Sequence, residues 1–166
     1  MNLACAAAVA SALIAITGCS LVDPAEETVS AEVVAVERVV DGDTVWVTTA
    51  TGQSEKIRIL GIDTPELSPP AECWAAEATA ALSQSLSREG ITVQLVTDPM
   101  ADDRDQYGRL LRYVEVDQVD VGLQLVEQGH AHLYRDADDL TRTDAYQDAR
   151  KTAQDEQAGL WAACDR

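Results

Sequence analysis

Polar and apolar residues alternate with period two over the first half of the chain. Val33 to Val40 is rich in Val, and Thr44 to Thr49 alternates around Val45, Trp46 and Val47, which predicts two half-buried strands. Ala50 to Ser54 contains Gly52 and reads as a hairpin turn. Lys56 to Ile62 reads as a third strand, with Ile57 and Ile59 on one face and Arg58 on the other. Pro65, Pro69 and Pro70 then break regular structure. The period changes next, because Ala75, Ala78, Leu82 and Leu86 recur at helical spacing, predicting a helix over 74–88 that Gly90 stops. Ile91 to Thr97 and Leu110 to Val116 return to alternation as fourth and fifth strands, separated by the polar loop Asp98 to Gly108. Asp120 can cap a helix running to Gln128 and closed by Gly129. Thr141 can cap a last helix that sets Tyr146, Ala149 and Ala153 on one face, with Gly159 beyond its end. Five short strands with a helix after the third and two at the end predict an α+β fold, a small closed β-barrel with three helices packed on it.

The segment before the first strand has a different character. Residues 2–18 carry no charged side chain and consist mainly of Ala, Leu, Ile and Val, the length of a signal-peptide core and short for a membrane span of roughly 20 residues. They end in Ile16-Thr17-Gly18-Cys19, followed by an acidic stretch without apolar periodicity. Small residues leading to a cysteine resemble the lipobox of bacterial lipoproteins, although Met1 to Ala4 lack the usual Lys or Arg. That resemblance implies cleavage before Cys19, a lipid on its thiol, and anchoring to the outer face of a bacterial membrane. The expected organisation is a lipoprotein signal peptide over 1–18, an acidic tether over 19–31 and one domain over 32–166. Of the cysteines outside the leader and the lipid site, Cys73 and Cys164 remain. In an oxidising compartment they are expected to form a disulfide, the alternative being two buried thiols.

The formal net charge of -17 changes the functional reading more than the 46% hydrophobic content does. So acidic a surface disfavours a pure DNA- or RNA-binding module, whose affinity rests on Lys and Arg neutralising phosphates. An enzyme needs only a local cationic patch.

Three short motifs carry candidate chemistry. In Asp41-Gly42-Asp43-Thr44, Asp43 shares the parity of Val45 and Val47, which places its carboxylate on their apolar face. Such a carboxylate is costly unless it is paired, protonated or bound to a cation, although Asp-Gly is also a common turn. The run Arg58-Ile59-Leu60-Gly61-Ile62-Asp63-Thr64-Pro65-Glu66 delivers an arginine and then two carboxylates three residues apart. Asp43, Asp63 and the Thr64 carbonyl are oxygen donors of the kind that Ca²⁺ takes, or the run is simply a capped turn. Asp103-Arg104-Asp105-Gln106-Tyr107-Gly108-Arg109 brings an arginine and a tyrosine to the start of a strand, where Gly108 lets the backbone turn tightly, or it is a loop whose arginine is salt-bridged.

As a set, in this order, the motifs resemble the staphylococcal nuclease (thermonuclease) family, and the resemblance runs from about Val34 to Trp161, taking in Leu125 to Gly129 and the terminal Gly-Leu-Trp. It implies a five-stranded OB-type barrel and a Ca²⁺-dependent phosphodiester hydrolase acting on DNA and RNA, single strands favoured, as a monomer leaving 3′-phosphate ends. It further implies that Asp43, Asp63 and the Thr64 carbonyl hold Ca²⁺, with Asp41 supporting them. Glu66 would be the general base or orient the attacking water, Arg58 and Arg109 would grip the scissile phosphate, and Tyr107 would line the nucleotide pocket. The competing expectation is a non-catalytic OB-type envelope lipoprotein that binds Ca²⁺ or a partner. One feature departs from the family: there are only two lysines, Lys56 and Lys151, while Asp102, Asp103 and Asp105 crowd the site-flanking loop. Weak substrate binding and strong salt sensitivity are therefore expected. His130 and His132 are expected to be structural or exposed and the three tryptophans to be packing residues, while Tyr134 is a candidate nucleotide contact whose local match to the family is loose.

Overall fold

The computed structural model describes residues 29–135, 137 and 139–164. The leader, Cys19 and most of the tether lie outside the described residues. Five strands close a barrel: β1 (Ala31–Val39), β2 (Thr44–Thr48), β3 (Ser54–Ile59), β5 (Val93–Val96) and β6 (Leu110–Val116). β1 pairs antiparallel with β2 through its second half and with β5 through its first, across an irregularity between Val36 and Arg38 that bends the strand. Antiparallel β2–β3 and β5–β6 extend the sheet, and a parallel β3–β6 pairing closes it. The barrel is the expected five-stranded one. A short strand β7 (Val119–Asp120) lies outside it on β6.

Alternation explains the core. Val45, Val47, Ile57, Ile59, Leu95 and Val114 point inward and are at most 2% exposed. Each fully buried aliphatic side chain contributes roughly 1.5–3 kcal/mol. Helix α1 (Ala75–Leu86) presents Ala75, Ala78, Leu82 and Leu86 to that core, as its spacing predicts. Helix α2 (Val121–Glu127) is capped by Asp120, whose side chain accepts from the Leu123 amide at 3.0 Å. Helix α3 (Thr143–Asp155) packs against α2, and a single turn α4 (Leu160–Ala163) follows Gly159. The Cys73–Cys164 disulfide is formed and ties the end of α4 to the chain just before α1.

Two local expectations differ from the structure. The third strand does not run on to Ile62. Gly61, at φ +79°, turns the chain, and Ile62–Asp63 form a separate strand β4 that pairs with β8 (His132–Leu133). Nor does Thr141 cap α3. Its amide and hydroxyl both donate to Asp98 Oδ2 at 2.8 Å, and α3 starts two residues later. Asp98 also accepts from the Tyr113 hydroxyl at 2.6 Å and the Met100 amide at 2.8 Å, so a buried carboxylate staples the β5 exit to the start of α3.

Candidate active site

The turn after β3 aims the site. Asp43 is the last residue before β2 and is 5% exposed, on the inner side that its parity predicts. Its Oδ2 accepts from the Thr64 amide at 3.0 Å and the Thr64 hydroxyl at 3.1 Å, and its Oδ1 accepts from the Thr44 hydroxyl at 3.0 Å. Gly42 permits this approach. A Cβ there would lie 2.7 Å from Thr64 Oγ1 and 2.9 Å from the Ala78 Cβ, closer than packed atoms tolerate. Asp41 accepts from the Asp43 amide at 3.2 Å, standing directly behind the buried carboxylate.

Arg58 reaches into the same group. Its Nε lies 3.3 Å from Asp43 Oδ1, one terminal nitrogen donates to Asp63 Oδ1 at 3.0 Å, and the other donates to the carbonyls of Ile59 and Ile62. The β4–β8 pairing, with Asp63 opposite His132, fixes the backbone that presents Asp63. Glu66 sits on the proline-containing loop beyond, anchored by main-chain contacts: its amide donates to a Glu72 carboxylate oxygen at 2.9 Å, and the Glu72 amide donates back to its carbonyl at 3.0 Å. The Glu66 side chain is left exposed to the cleft.

Arg109 enters through the parallel pairing. Arg58 is in register with Leu111, so Arg109, two residues earlier on the β6 side, shares the face of Arg58. Asp105 fixes its orientation: one oxygen accepts the amides of Tyr107 and Arg109 at 2.9 Å, and the other accepts Arg109 Nε at 2.6 Å. Arg58, Asp63, Glu66, Asp105 and Arg109 thus line one cleft of about 470 Å³, with Tyr134 as a further wall. Tyr107 projects outward, 75% exposed, its ring 5.5 Å from the Arg109 guanidinium centre.

Electrostatics mark the acidic side as a strained concentration of charge. Burial and the neighbouring Asp43 carboxylate push Asp41 above the ordinary carboxylate range. Burial raises Asp63 more than Arg58 lowers it. Burial and the charges of Asp41, Asp43, Asp63 and Glu72 raise Glu66. Asp105 goes the other way, because its hydrogen bonds from Arg109 and Tyr107 outweigh the opposing effect of burial. Four hard oxygen donors that repel one another suit a divalent cation in kind. Among the described residues, however, no three His, Cys, Asp or Glu side chains stand close enough to hold an ion as they are, since Asp43 and Asp63 both face Arg58.

Sequence reasoning passed over the role of Asp105 and gave Tyr134 only a loose match. Asp105, an ordinary loop carboxylate by pattern, is the residue that orients Arg109. Tyr134 lies with its ring 5.5 Å from the Arg58 guanidinium centre and its amide donating to Gly61 at 2.9 Å. The β4–β8 pairing brings it there. Both histidines and two of the tryptophans pair off: Trp74 Nε1 donates to His130 Nδ1 at 3.0 Å, and the exposed His132 meets Trp161 edge to face at 4.9 Å between ring centres.

Comparison with known proteins agrees with the geometry. The family model described as staphylococcal nuclease homologue matches residues 56–163. The thermonuclease of Staphylococcus intermedius is 29% identical over 130 residues, 76% of this chain and 74% of that protein. An SPbeta prophage-derived endonuclease of Bacillus subtilis is 35% identical over 132 residues, covering 78% of this chain but only 44% of the relative. An uncharacterized protein of Methanocaldococcus jannaschii is 30% identical over 147 residues, 76% of this chain and 70% of that protein.

Proposed function

The chain belongs to the staphylococcal nuclease family, and we propose that it is an exported, lipid-anchored, Ca²⁺-dependent nuclease cleaving phosphodiester bonds of DNA and RNA, single strands favoured, to leave 3′-phosphate ends. The observation that carries this reading is the shared cleft: two arginines on one sheet face oppose the carboxylates of Asp63 and Glu66, with Asp43 buried behind them. Asp43, Asp63 and the Thr64 carbonyl would hold the cation, with Asp41 supporting it. Bound there, Ca²⁺ would supply positive charge to the non-bridging phosphate oxygens.

The remaining steps fall to the chain's own side chains. Glu66, raised above the usual carboxylate range, would take a proton from the attacking water or orient it. Water adds to phosphorus, the bond to the 5′ oxygen breaks, and that oxygen takes a proton from solvent and leaves as a 5′ hydroxyl while the phosphate stays on the 3′ side. Arg58 and Arg109 would offset charge on the pentacoordinate transition state, and the planar guanidinium suits two phosphate oxygens at once. Lipid on Cys19 would set this activity at the outer face of the membrane, on a monomer.

One observation favours a second reading, a non-catalytic OB-type envelope lipoprotein that binds a partner: Arg58 already has both carboxylates and two carbonyls as partners. Hydrolysis of single-stranded DNA at low salt separates the two readings. Purified full chain is tested with Ca²⁺, with EDTA, and as an Arg58→Ala, Glu66→Ala double variant. Cleavage that needs Ca²⁺ and vanishes in the variant supports the nuclease. No cleavage by folded protein leaves the binding lipoprotein. Mapping the product ends and labelling Cys19 with fatty acid test the remaining elements of the proposal.

A further inference from the structure

Beside the proposed catalytic cleft lies a second cavity of about 230 Å³, at the α3 side of β8. Three arginines line it, Arg135, Arg142 and Arg150. It shares Gly61, Tyr134 and Leu140 with the cleft, so the two adjoin across the Tyr134 ring.

The concentration matters because the chain is so acidic. It has twelve Lys and Arg, and five of them (Arg58, Arg109, Arg135, Arg142 and Arg150) line these two cavities. Elsewhere most positive charge is already engaged: Arg88 with Asp117, Arg104 with Glu55, Arg112 with Asp103, and Lys151 with Asp155. Arg38 lies over Trp46. Within the second cavity the arginines divide. Arg142 is held by Asp120 at 2.6 Å and Glu115 at 2.7 Å and lies 4.1 Å from the Tyr113 ring centre, so its charge is largely cancelled. Among the described residues, no carboxylate pairs with Arg135 or Arg150. A strand repelled by the rest of this surface finds donors there, immediately beyond the reactive cleft.

We propose that the second cavity is a phosphate subsite for the substrate strand, in which Arg135 and Arg150 grip a phosphodiester next to the scissile one, and Arg142 forms its fixed floor. The inference rests on the nuclease reading and extends it: this site would select chains over isolated nucleotides. Binding to a remote phosphate contributes to substrate affinity rather than to the bond-breaking step.

The test compares two substrates with full-chain protein and Ca²⁺: a nitrophenyl phosphodiester of a single nucleotide, and a single-stranded DNA ten-mer. In the Arg135→Ala, Arg150→Ala double variant, KM for the ten-mer should rise about tenfold, the loss expected when charge-assisted contacts to one phosphate are removed. Its kcat on the ten-mer, and both constants on the nitrophenyl ester, should stay as in the wild type. The dependence of log KM on log salt for the ten-mer should become shallower by about 0.7, the value for one phosphate of a single strand. The Arg135→Lys, Arg150→Lys variant should keep most of the affinity. An unchanged KM and salt slope, or an equal loss on both substrates, overturns the subsite while leaving the nuclease intact. A wild type that cleaves neither substrate overturns the nuclease reading, and the subsite with it.

Discussion

One terminal nitrogen of Arg58 donates to Asp63 Oδ1 at 3.0 Å while its Nε lies 3.3 Å from Asp43 Oδ1, so a single guanidinium spans the two carboxylates proposed to hold the cation. In this arrangement the arginine does a cation's electrostatic work. A divalent ion taking those oxygens would compete with Arg58 and release its fork toward the phosphate. Arg58→Ala should therefore lower kcat by roughly 10²–10³, as when one preorganised transition-state donor is lost. Its Ca²⁺ affinity should be equal to or higher than that of the wild type. Arg58→Lys should recover little activity, because a point charge cannot bridge two oxygens as the fork does. Kinetics alongside a direct Ca²⁺ titration check both halves, and a variant that loses Ca²⁺ binding together with activity would contradict the competition.

Gly42→Ala should damage the site from behind. The added methyl would meet Thr64 at 2.7–2.8 Å and Ala78 at 2.9 Å, so either Thr64 or α1 must move. Overpacking of this kind costs about 1–3 kcal/mol. Moving Thr64 also removes two hydrogen bonds from Asp43. Denaturant unfolding should show the destabilisation, and activity should fall further than the lost stability accounts for.

How much of this was legible in the sequence depends on how local each feature is. The strands of the barrel, the inward Asp43 and the apolar face of α1 follow from period alone, because burial on one side imposes that period. The Asp120 cap is equally local. The β3–β6 closure that puts Arg109 beside Arg58 is not, since a parallel pairing between residues more than fifty apart leaves no period behind. The turn at Gly61 was hidden because the apolar run continues through Leu60 and Ile62, although the chain changes sheet between them. Thr141 shows the converse: it has the composition of a helix cap, and tertiary contact with Asp98 takes its donors instead.

Asp98→Ala should be among the more damaging substitutions away from the cleft. It would strand the buried Tyr113 hydroxyl and free both donors of Thr141. A hydrogen bond to a charged group contributes about 1.5–3 kcal/mol, so the loss should be at least that large. Burial raises the Asp98 carboxyl, but the hydrogen bonds from Tyr113, Met100 and Thr141 outweigh it and leave the group below its ordinary value. Its contribution is therefore present above the unfolded carboxylate pKa and is lost as pH falls through the lower folded value. Wild type and variant should converge in stability in strong acid, and thermal melts below about pH 4, the unfolded carboxylate range, measure this directly.

Three carboxylates in and behind the cleft predict the opposite dependence. Asp41, Asp63 and Glu66 are all raised, first by burial and then by one another or by Asp43. A raised folded pKa means that the fold favours the protonated form. Stability from these three groups is full below the unfolded carboxylate pKa of about 4 and is lost as pH rises through their folded values. Without Ca²⁺, the protein should thus be penalised by them at neutral pH, in contrast to Asp98 and Asp105. Ca²⁺ binding would relieve that penalty and must displace protons wherever the groups are still protonated. At a hundredfold excess over Kd the ion should add about 2.7 kcal/mol at pH 8. At pH 5 the same concentration should add less, because protons compete for the same oxygens, and titration in weak buffer should show proton release. In Asp63→Asn the Ca²⁺-induced rise in Tm should shrink at both pH values. A Ca²⁺ effect on Tm identical at pH 5 and pH 8, with no proton release, would place the ion away from these carboxylates.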